Sequence, residues 1–461
     1  MLAPKAEAVH SSACLVAPTV RRVLQPRVQR DVGFEFESNQ LLTRQGDAEI
    51  GAPFASENEA INAFWKSGAK RLAKGEQIFS KPGISVEADD RGSDSDLEVV
   101  VEHLPETNTG RNQLDQRMTD LLTLVTHFST QAAHTGDTAP ATVSDGQGGF
   151  GVDNKKAMIQ GPPWDRAKTA PQVTVGARLS NVGDLVRDLH GDPNESAPEA
   201  GQRAAGRMAM RGPSPNDSTK PKTATGEAKL LIDAHGLAQQ AVNSYLAKNN
   251  GTPPGGSELE GFLTLVLAYA EAAPHKSAFL KSSTPLMAKT DLATMWGTLP
   301  GPVKTHYSQT SLLGKTELEK LLETLPGYKG RLDRPLFDVS SSAVVDENAS
   351  FDKKGAARKT QWYHKLVMRD WVRKIVTKNV DQLTTANFPK LPGGREVEGY
   401  GVLGARMDAD ATQPATALPV FELRSASRLM TYGEAHQWAL KMFDYIRSLN
   451  ANPGGGHGRI T

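Results

Sequence analysis

The chain has 461 residues, a formal net charge of +1 and one cysteine, Cys14. A near-neutral balance excludes the strongly basic footprint of a nucleic-acid binder, and a lone cysteine excludes an internal disulfide and a cysteine-based metal site. Apolar residues make up 38%, enough for a packed core, yet no run of about 18 apolar residues occurs, so no membrane span is predicted.

Residues 1–30 carry five basic side chains and one acid, Glu7. They lack the apolar stretch of a secretory signal and read as a flexible basic arm, with a transit peptide as the other reading. "VGFEFES", Val32 to Ser38, is strand-like. "NEAINAFWKSGAKRLA" from Asn58 has helical spacing, and "GISVEAD" and "DLEVVVEHL" read as strands joined by the turn "DRGSDS". From Arg111 an amphipathic helix sets Leu114, Met118, Leu121, Leu122 and Val125 on one face. Flexible insertions are expected near 134–168 and 191–227, where Gly, Thr, Asp, Ser and Pro accumulate. Between them "APQVTVGARLS" reads as a strand and "NVGDLVRDLH" as a helix with Asn181 as its N-cap.

From Ala228 to about Leu299 the pattern is mainly helical, and "FLTLVLAYAEAA" from Phe262 reads as a buried helix. "QWYHKLVMRDWVRKIVTKNVDQLT" is predicted as a helix with Trp362, Leu366, Trp371, Ile375 and Leu383 available for packing. "LPVFELRSAS" is the last strand and "GEAHQWALKMFDYIRSLN" the last helix. Residues 31–450 thus form one expected domain, followed by a flexible tail over 451–461. Strands and helices are interspersed; hairpin-like pairs occur and no regular strand–helix–strand alternation does. That predicts an α+β fold with an antiparallel sheet, helices on its apolar face and a polar face left for function, rather than a doubly wound parallel sheet.

Side chains alternate across a strand. Glu35 and Glu37 therefore oppose Phe34 and Phe36; Glu98, Val100 and Glu102 oppose Leu97, Val99 and Val101. Gln172 and Thr174 oppose Val173 and Val175; Glu422 and Arg424 oppose Phe421 and Leu423. Alternation on one strand is the ordinary pattern of a wetted sheet. Glutamate is disfavoured in strands, however, and here it recurs on three. If the strands share a sheet, Glu35, Glu37, Glu98 and Glu422 gather near Arg424, with Glu102 at the edge. Crowded carboxylates need compensation, which Mg²⁺ supplies through hard oxygen ligands. An arginine fork beside them suits a phosphoryl group.

These strands resemble the glutamine synthetase-like carboxylate–amine ligase superfamily, particularly glutamate–cysteine ligases and related amidoligases. Its Gly-x-Glu-x-Glu strand is similar to Gly33, Glu35 and Glu37. Its second strand is similar to "LEVVVEHLP", its "HVHVG" run to "QVTVG", and its "hEhRS" strand to "FELRS", in the same chain order. The histidines of the third motif are replaced by Gln172 and Thr174. The resemblance implies a curved antiparallel sheet lined with metal sites, in which Glu35, Glu37, Glu98 and Glu422 hold metal and Arg424 binds the γ-phosphate. Arg424 and Glu37 would serve catalysis, and Gln172, Thr174 and Lys289 would contact nucleotide. The implied activity uses ATP and Mg²⁺ to phosphorylate a carboxylate and join it to an amine. Some members join proteins, including toxins that cross-link host actin, so an effector secreted or injected into a target cell, acting in its cytoplasm, is one expectation. The alternative is a catalytically inactive nucleotide-binding or interaction module on the same fold.

Lys289, in "PLMAKTDLATMW", has a second reading: a solvated side chain beside a helix capped by Thr290 or Asp291. "GYGVLGAR" from Gly399 lacks the setting of a dinucleotide fingerprint and reads as a hairpin turn. "KNNGTPPGGSELEG" lacks the ending of a phosphate loop and reads as a linker. His436 reads as structural.

Overall fold

The computed structural model describes residues 31–46, 55–66, 70–91, 94–135, 141–142, 146–190, 213–214, 217–221, 227–251, 253–272, 286–290, 292–312, 314–334, 336, 367–377, 390–391, 395–396, 418–424 and 429–451. The expected N-terminal arm, most of 191–227, the tail beyond 451, the "GYGVLGAR" turn, and Trp362, Leu366 and Leu383 lie outside them.

Strands β1 (Asp31–Gln45), β2 (Lys70–Arg71), β3 (Gln77–Lys81), β4 (Ile84–Arg91), β5 (Asp94–Pro105), β6 (Ala141–Thr142), β7 (Gly151–Val152), β8 (Ala157–Gln160) and β9 (Ala170–Gly176) join two later strands in one 11-stranded sheet. Two short hairpins stand outside it: β10 (Pro213–Ser214) with β11 (Asp217–Pro221), and β13 (Lys390–Leu391) with β14 (Arg395–Glu396). The later strands of the sheet are β12 (Leu286–Ala288) and β15 (Val420–Arg424). The path runs β12-β15-β9-β1-β5-β4-β3-β7, with β2 and β8 on β1 and β6 on β8. All pairings are antiparallel, and the sheet is curved and open, the α+β class the alternation predicts.

The helices are α1 (Glu57–Lys66), α2 (Asn108–Thr135), α3 (Val182–His190), α4 (Glu227–Lys248), α5 (Ser257–Ala272), α6 (Leu292–Thr298), α7 (Gly301–Ser308), α8 (Glu317–Leu322), α9 (Tyr328–Leu332), α10 (Met368–Val376) and α11 (Tyr432–Ala451). The α2 face predicted from spacing is the buried one: Leu114, Met118, Leu121 and Val125 are all within the core. On α11, Trp438 meets Phe34 and Phe36 of β1 edge-on, with ring centroids 6.1 and 6.4 Å apart. The apolar face of β1 is thereby sealed, and its glutamates are left for the opposite side.

Three sequence expectations change. The stretch near 134–168, expected as a flexible insertion, carries β6, β7 and β8; β8 pairs with Leu42–Gln45 of β1, and Trp164 stacks on Phe128 at 4.8 Å. Its Gly and Asp content masked a short apolar run, "AMI", whose Met158 and Ile159 are buried. Asn181 is not the simple N-cap expected: it lies in a 3₁₀ turn, Leu179–Asn181, leading into α3. Its amide donates to the carbonyl of Leu449 at 3.1 Å and to Asn450 Oδ1 at 3.3 Å, tying α3 to α11. The predicted helix from Gln361 begins at Met368, because Val367 is extended (φ −76°, ψ 152°); Trp371 and Ile375 pack in the core as expected.

The helical layer has its own tight joints. Gly261 of α5 lies against the turn before α3, where a Cβ would sit 1.8 Å from the Leu179 carbonyl oxygen. Asn250 and Gly251, both at positive φ (54° and 69°), reverse the chain between α4 and α5 within the stretch read as a linker.

Candidate active site on the polar face of the sheet

The site is built from cross-strand rows. In one row Arg424 of β15 holds the position opposite Gln172 of β9, Gln172 is opposite Glu35 of β1, and Glu35 is opposite Val100 of β5. In the next, Glu37 is opposite Glu98, and Glu98 opposite Glu87 of β4. A third row places Glu422 opposite Thr174, and Thr174 opposite Gly33. Directly paired residues share a face. The sheet therefore brings Glu35, Glu37, Glu98, Gln172, Thr174 and Glu422 to one side, with Arg424 in register. Their alternating neighbours, Phe34, Phe36, Val99, Val173, Val175, Phe421 and Leu423, are buried on the other.

The strongest juxtaposition is at the β1–β4–β5 end. Carboxylate oxygens of Glu37, Asp89 and Glu98 lie within 4.8 Å of one another. Asp89 is a further acid on this face, which the glutamate motifs do not mark, although Ser85, Glu87 and Asp89 alternate with Val86 and Ala88 as the other polar faces do. Burial, then the neighbouring Glu35, Asp89 and Glu37 carboxylates, push the Glu98 carboxyl up to about 8. Lys74, next to β2, opposes this and is ion-paired with Asp89. Burial pulls the Lys74 ammonium down, but the Asp89 contact and the fields of Asp89, Glu98 and Glu37 outweigh it and hold the group above its ordinary value. A set of hard oxygens that keeps one carboxyl protonated and attracts an ammonium suits a divalent cation.

At the β15 end the charges are already matched. Lys289, 9% exposed, is ion-paired with Glu422, 1% exposed. The reading of Lys289 as a solvated side chain is overturned. The loop after β12 is pinned to β15, because Lys289 N–H donates to the Val420 carbonyl at 2.8 Å and Val420 N–H donates to Thr290 Oγ1 at 2.8 Å. The Thr290 hydroxyl oxygen thus holds a strand. Between the two ends, Gln172 is 3% exposed and its side-chain oxygen is buried without a hydrogen-bond donor. A buried acceptor left unmatched costs about 1–3 kcal/mol, which a ligand donor would recover.

Glu102, expected at the edge, lies in a bulge instead. The β1–β5 register shifts between Val32 and Phe34, so Glu102 and His103 both fall opposite Gly33. The His103 ring covers Gly33, where a Cβ would sit 2.3 Å from His103 Cδ2. That contact explains the glycine two residues before Glu35, and it places an imidazole beside the row of Thr174 and Glu422. Simple alternation cannot reveal it, because the bulge breaks the alternation. His436, expected as structural, meets Asp115 of α2 at 2.7 Å and takes no part in the site.

No protein-family model matches the chain, and no curated protein does. Among solved structures two chains match. One is a Vibrio cholerae toxin from the MARTX/VgrG family, 12% identical, TM-score 0.39, covering 88% of this chain and 96% of that one. The other is a point mutant of the ACD domain of a VgrG toxin of Vibrio cholerae in complex with ADP and Mn²⁺, also 12% identical with TM-score 0.39, covering 87% and 94%. At that level of similarity, function has to be argued from this chain's own residues. Among the described residues, no helix is long and apolar enough to cross a membrane.

Proposed function

We propose that this chain is an ATP-dependent carboxylate–amine ligase whose polar sheet face binds a nucleotide with a divalent cation, Mg²⁺ by expectation. The observation that carries the reading is the convergence of Glu37, Asp89 and Glu98 from three adjacent strands. That convergence lies one row from the buried, unmatched oxygen of Gln172 and from Arg424. Glu37, Asp89 and Glu98 would hold the cation, with Glu35 adding negative field beside them. When bound, the cation would neutralise charge on the phosphates during transfer. At the opposite end Lys289 balances the charge of Glu422, and Arg424, in register with Gln172, would orient the phosphoryl group. Gln172 and Thr174 offer neutral polar contacts to the nucleotide. The apolar face, sealed by α2 and α11, keeps this framework rigid, so the charges are positioned before substrate arrives.

The products of such a reaction are an amide or isopeptide bond, ADP and phosphate. The test is ADP release from Mg-ATP with a free amino-acid mixture and with cell lysate, run beside Glu37→Gln. ADP that requires an added carboxylate and amine, and that disappears in the variant, supports a ligase. A protein acceptor, as an effector or toxin would use, shows as a band of increased mass. ADP formation unaffected by Glu37→Gln sinks the assignment. The neutral Gln172 and Thr174 favour one rival, nucleotide binding without turnover. Its signature is a melting temperature that rises with Mg-ATP while no ADP forms.

A further inference from the structure

The two ends of the polar face handle their negative charge by different means. At the β1–β4–β5 end, three carboxylates from three strands crowd within 4.8 Å, and the nearby ammonium belongs to Lys74, whose side chain is 64% exposed. Such a long, solvated side chain is easily displaced. At the β15 end the ammonium belongs to Lys289, enclosed with Glu422 and delivered by a loop hydrogen-bonded to Val420 at both of its polar backbone groups. The cross-strand neighbours of Glu422 are Thr174 on β9 and Met287 on β12. Neither supplies a second carboxylate. The sequence resemblance places a metal ligand at Glu422; the structure shows a carboxylate matched by a fixed positive charge of the chain itself. A divalent ion entering there would have to expel an enclosed ammonium and take, from these neighbours, one charged oxygen in return. Ions of this kind seek several hard anionic or water oxygens, so this end does not fit one.

We infer that Lys289 is the resident cation of the Glu422 end, and that the polar face binds divalent metal at the Glu37–Asp89–Glu98 end alone. This rests on the reading of the face as a nucleotide–metal site. Charge balance at the β15 end is then set by the fold, through the Lys289–Glu422 pair, and does not vary with metal concentration.

The experiment is Mn²⁺ binding to the full chain, followed by electron paramagnetic resonance of unbound Mn²⁺, with and without ADP. A single tight ion is expected. It is expected to be lost in Glu37→Gln and retained in the double variant Lys289→Met/Glu422→Gln, which removes both members of the enclosed pair and so leaves neither charge stranded. Two tight ions, one of which disappears in the double variant, overturn the inference while leaving the nucleotide–metal reading in place. No tight ion, or one insensitive to Glu37→Gln, overturns both. Circular dichroism of each variant verifies that binding is compared between folded chains.

Discussion

At the scale of single residues, the enclosed Lys289–Glu422 pair makes a sharp energetic claim. Removing one partner strands a buried charge, which costs about 3–5 kcal/mol, whereas replacing both by neutral groups of similar size is close to neutral. Lys289→Met is therefore expected to lower stability by roughly that amount in urea unfolding, and Lys289→Met/Glu422→Gln to recover most of it. Additive losses in the double variant would show that the pair is not coupled. Glu98 makes a claim about pH. Unfolded, its carboxyl titrates near the ordinary 4.5; folded, burial and the neighbouring carboxylates hold it up to about 8. Between those values the folded chain keeps a proton that the unfolded chain has released. The contribution of this group to stability is thus full below the unfolded value and lost as pH rises to the folded one. A cation seated on Glu37, Asp89 and Glu98 must displace that proton. Mn²⁺ is accordingly expected to raise the melting temperature more near pH 8 than near pH 6, and an equal rise at both would dissociate Glu98 from the cation. Strand alternation in the sequence was enough to bring Glu35, Glu37, Glu98, Gln172, Thr174 and Glu422 to one face. Asp89 obeys the same alternation and was legible in principle. Lys289 was not, because its role depends on a three-residue strand, β12, pairing with a segment more than 130 positions away.

At the scale of elements, packing explains where periodicity sufficed. The helices α2 and α11 are long and amphipathic, and the buried faces of both follow their apolar spacing. The strands of 146–168 are not legible in the sequence because each is two to four residues long, too short for alternation to register. β8 forms on Leu42–Gln45, where β1 continues past a register shift, and β7 forms on Phe79 and Ser80 of β3. The joint between α5 and the turn before α3 depends on a missing side chain. Gly261→Ala would drive a methyl group into the Leu179 backbone carbonyl, and backbone cannot rotate aside as a side chain can. A loss of roughly 1–3 kcal/mol or more is expected in thermal or urea unfolding, and an unchanged midpoint would mean that the two elements separate readily. Near α10, Glu319 is fully buried and completes a capping box with Thr316; its carboxylate also meets Arg373 Nε at 2.6 Å. This second enclosed charge network is joined to helix ends, where carboxylates and guanidiniums satisfy backbone and each other, and its role is to lock α8 against α10.

At the scale of the whole molecule, the alternating polar and apolar strands fixed the class, α+β with one helix-covered face, while the strand order was out of reach. Nothing in the local sequence says that β9 lies between β1 and β15, because that order is decided by which apolar faces fit together beneath the sheet. The order has a temporal consequence. Strand β1 leads the described chain and β15 nearly closes it, yet β9 hydrogen-bonds to both, and α11, later still, covers the aromatic underside of β1. Contacts of such wide sequence separation form late and slowly. During synthesis the acids of β1 emerge hundreds of residues before Glu422 and Arg424. A nascent or prematurely terminated chain therefore carries the acids of β1, β4 and β5 without β15, and an open β9 edge with them. Whatever chemistry this face performs is withheld until β15 and α11 have been made and have closed on the earlier strands.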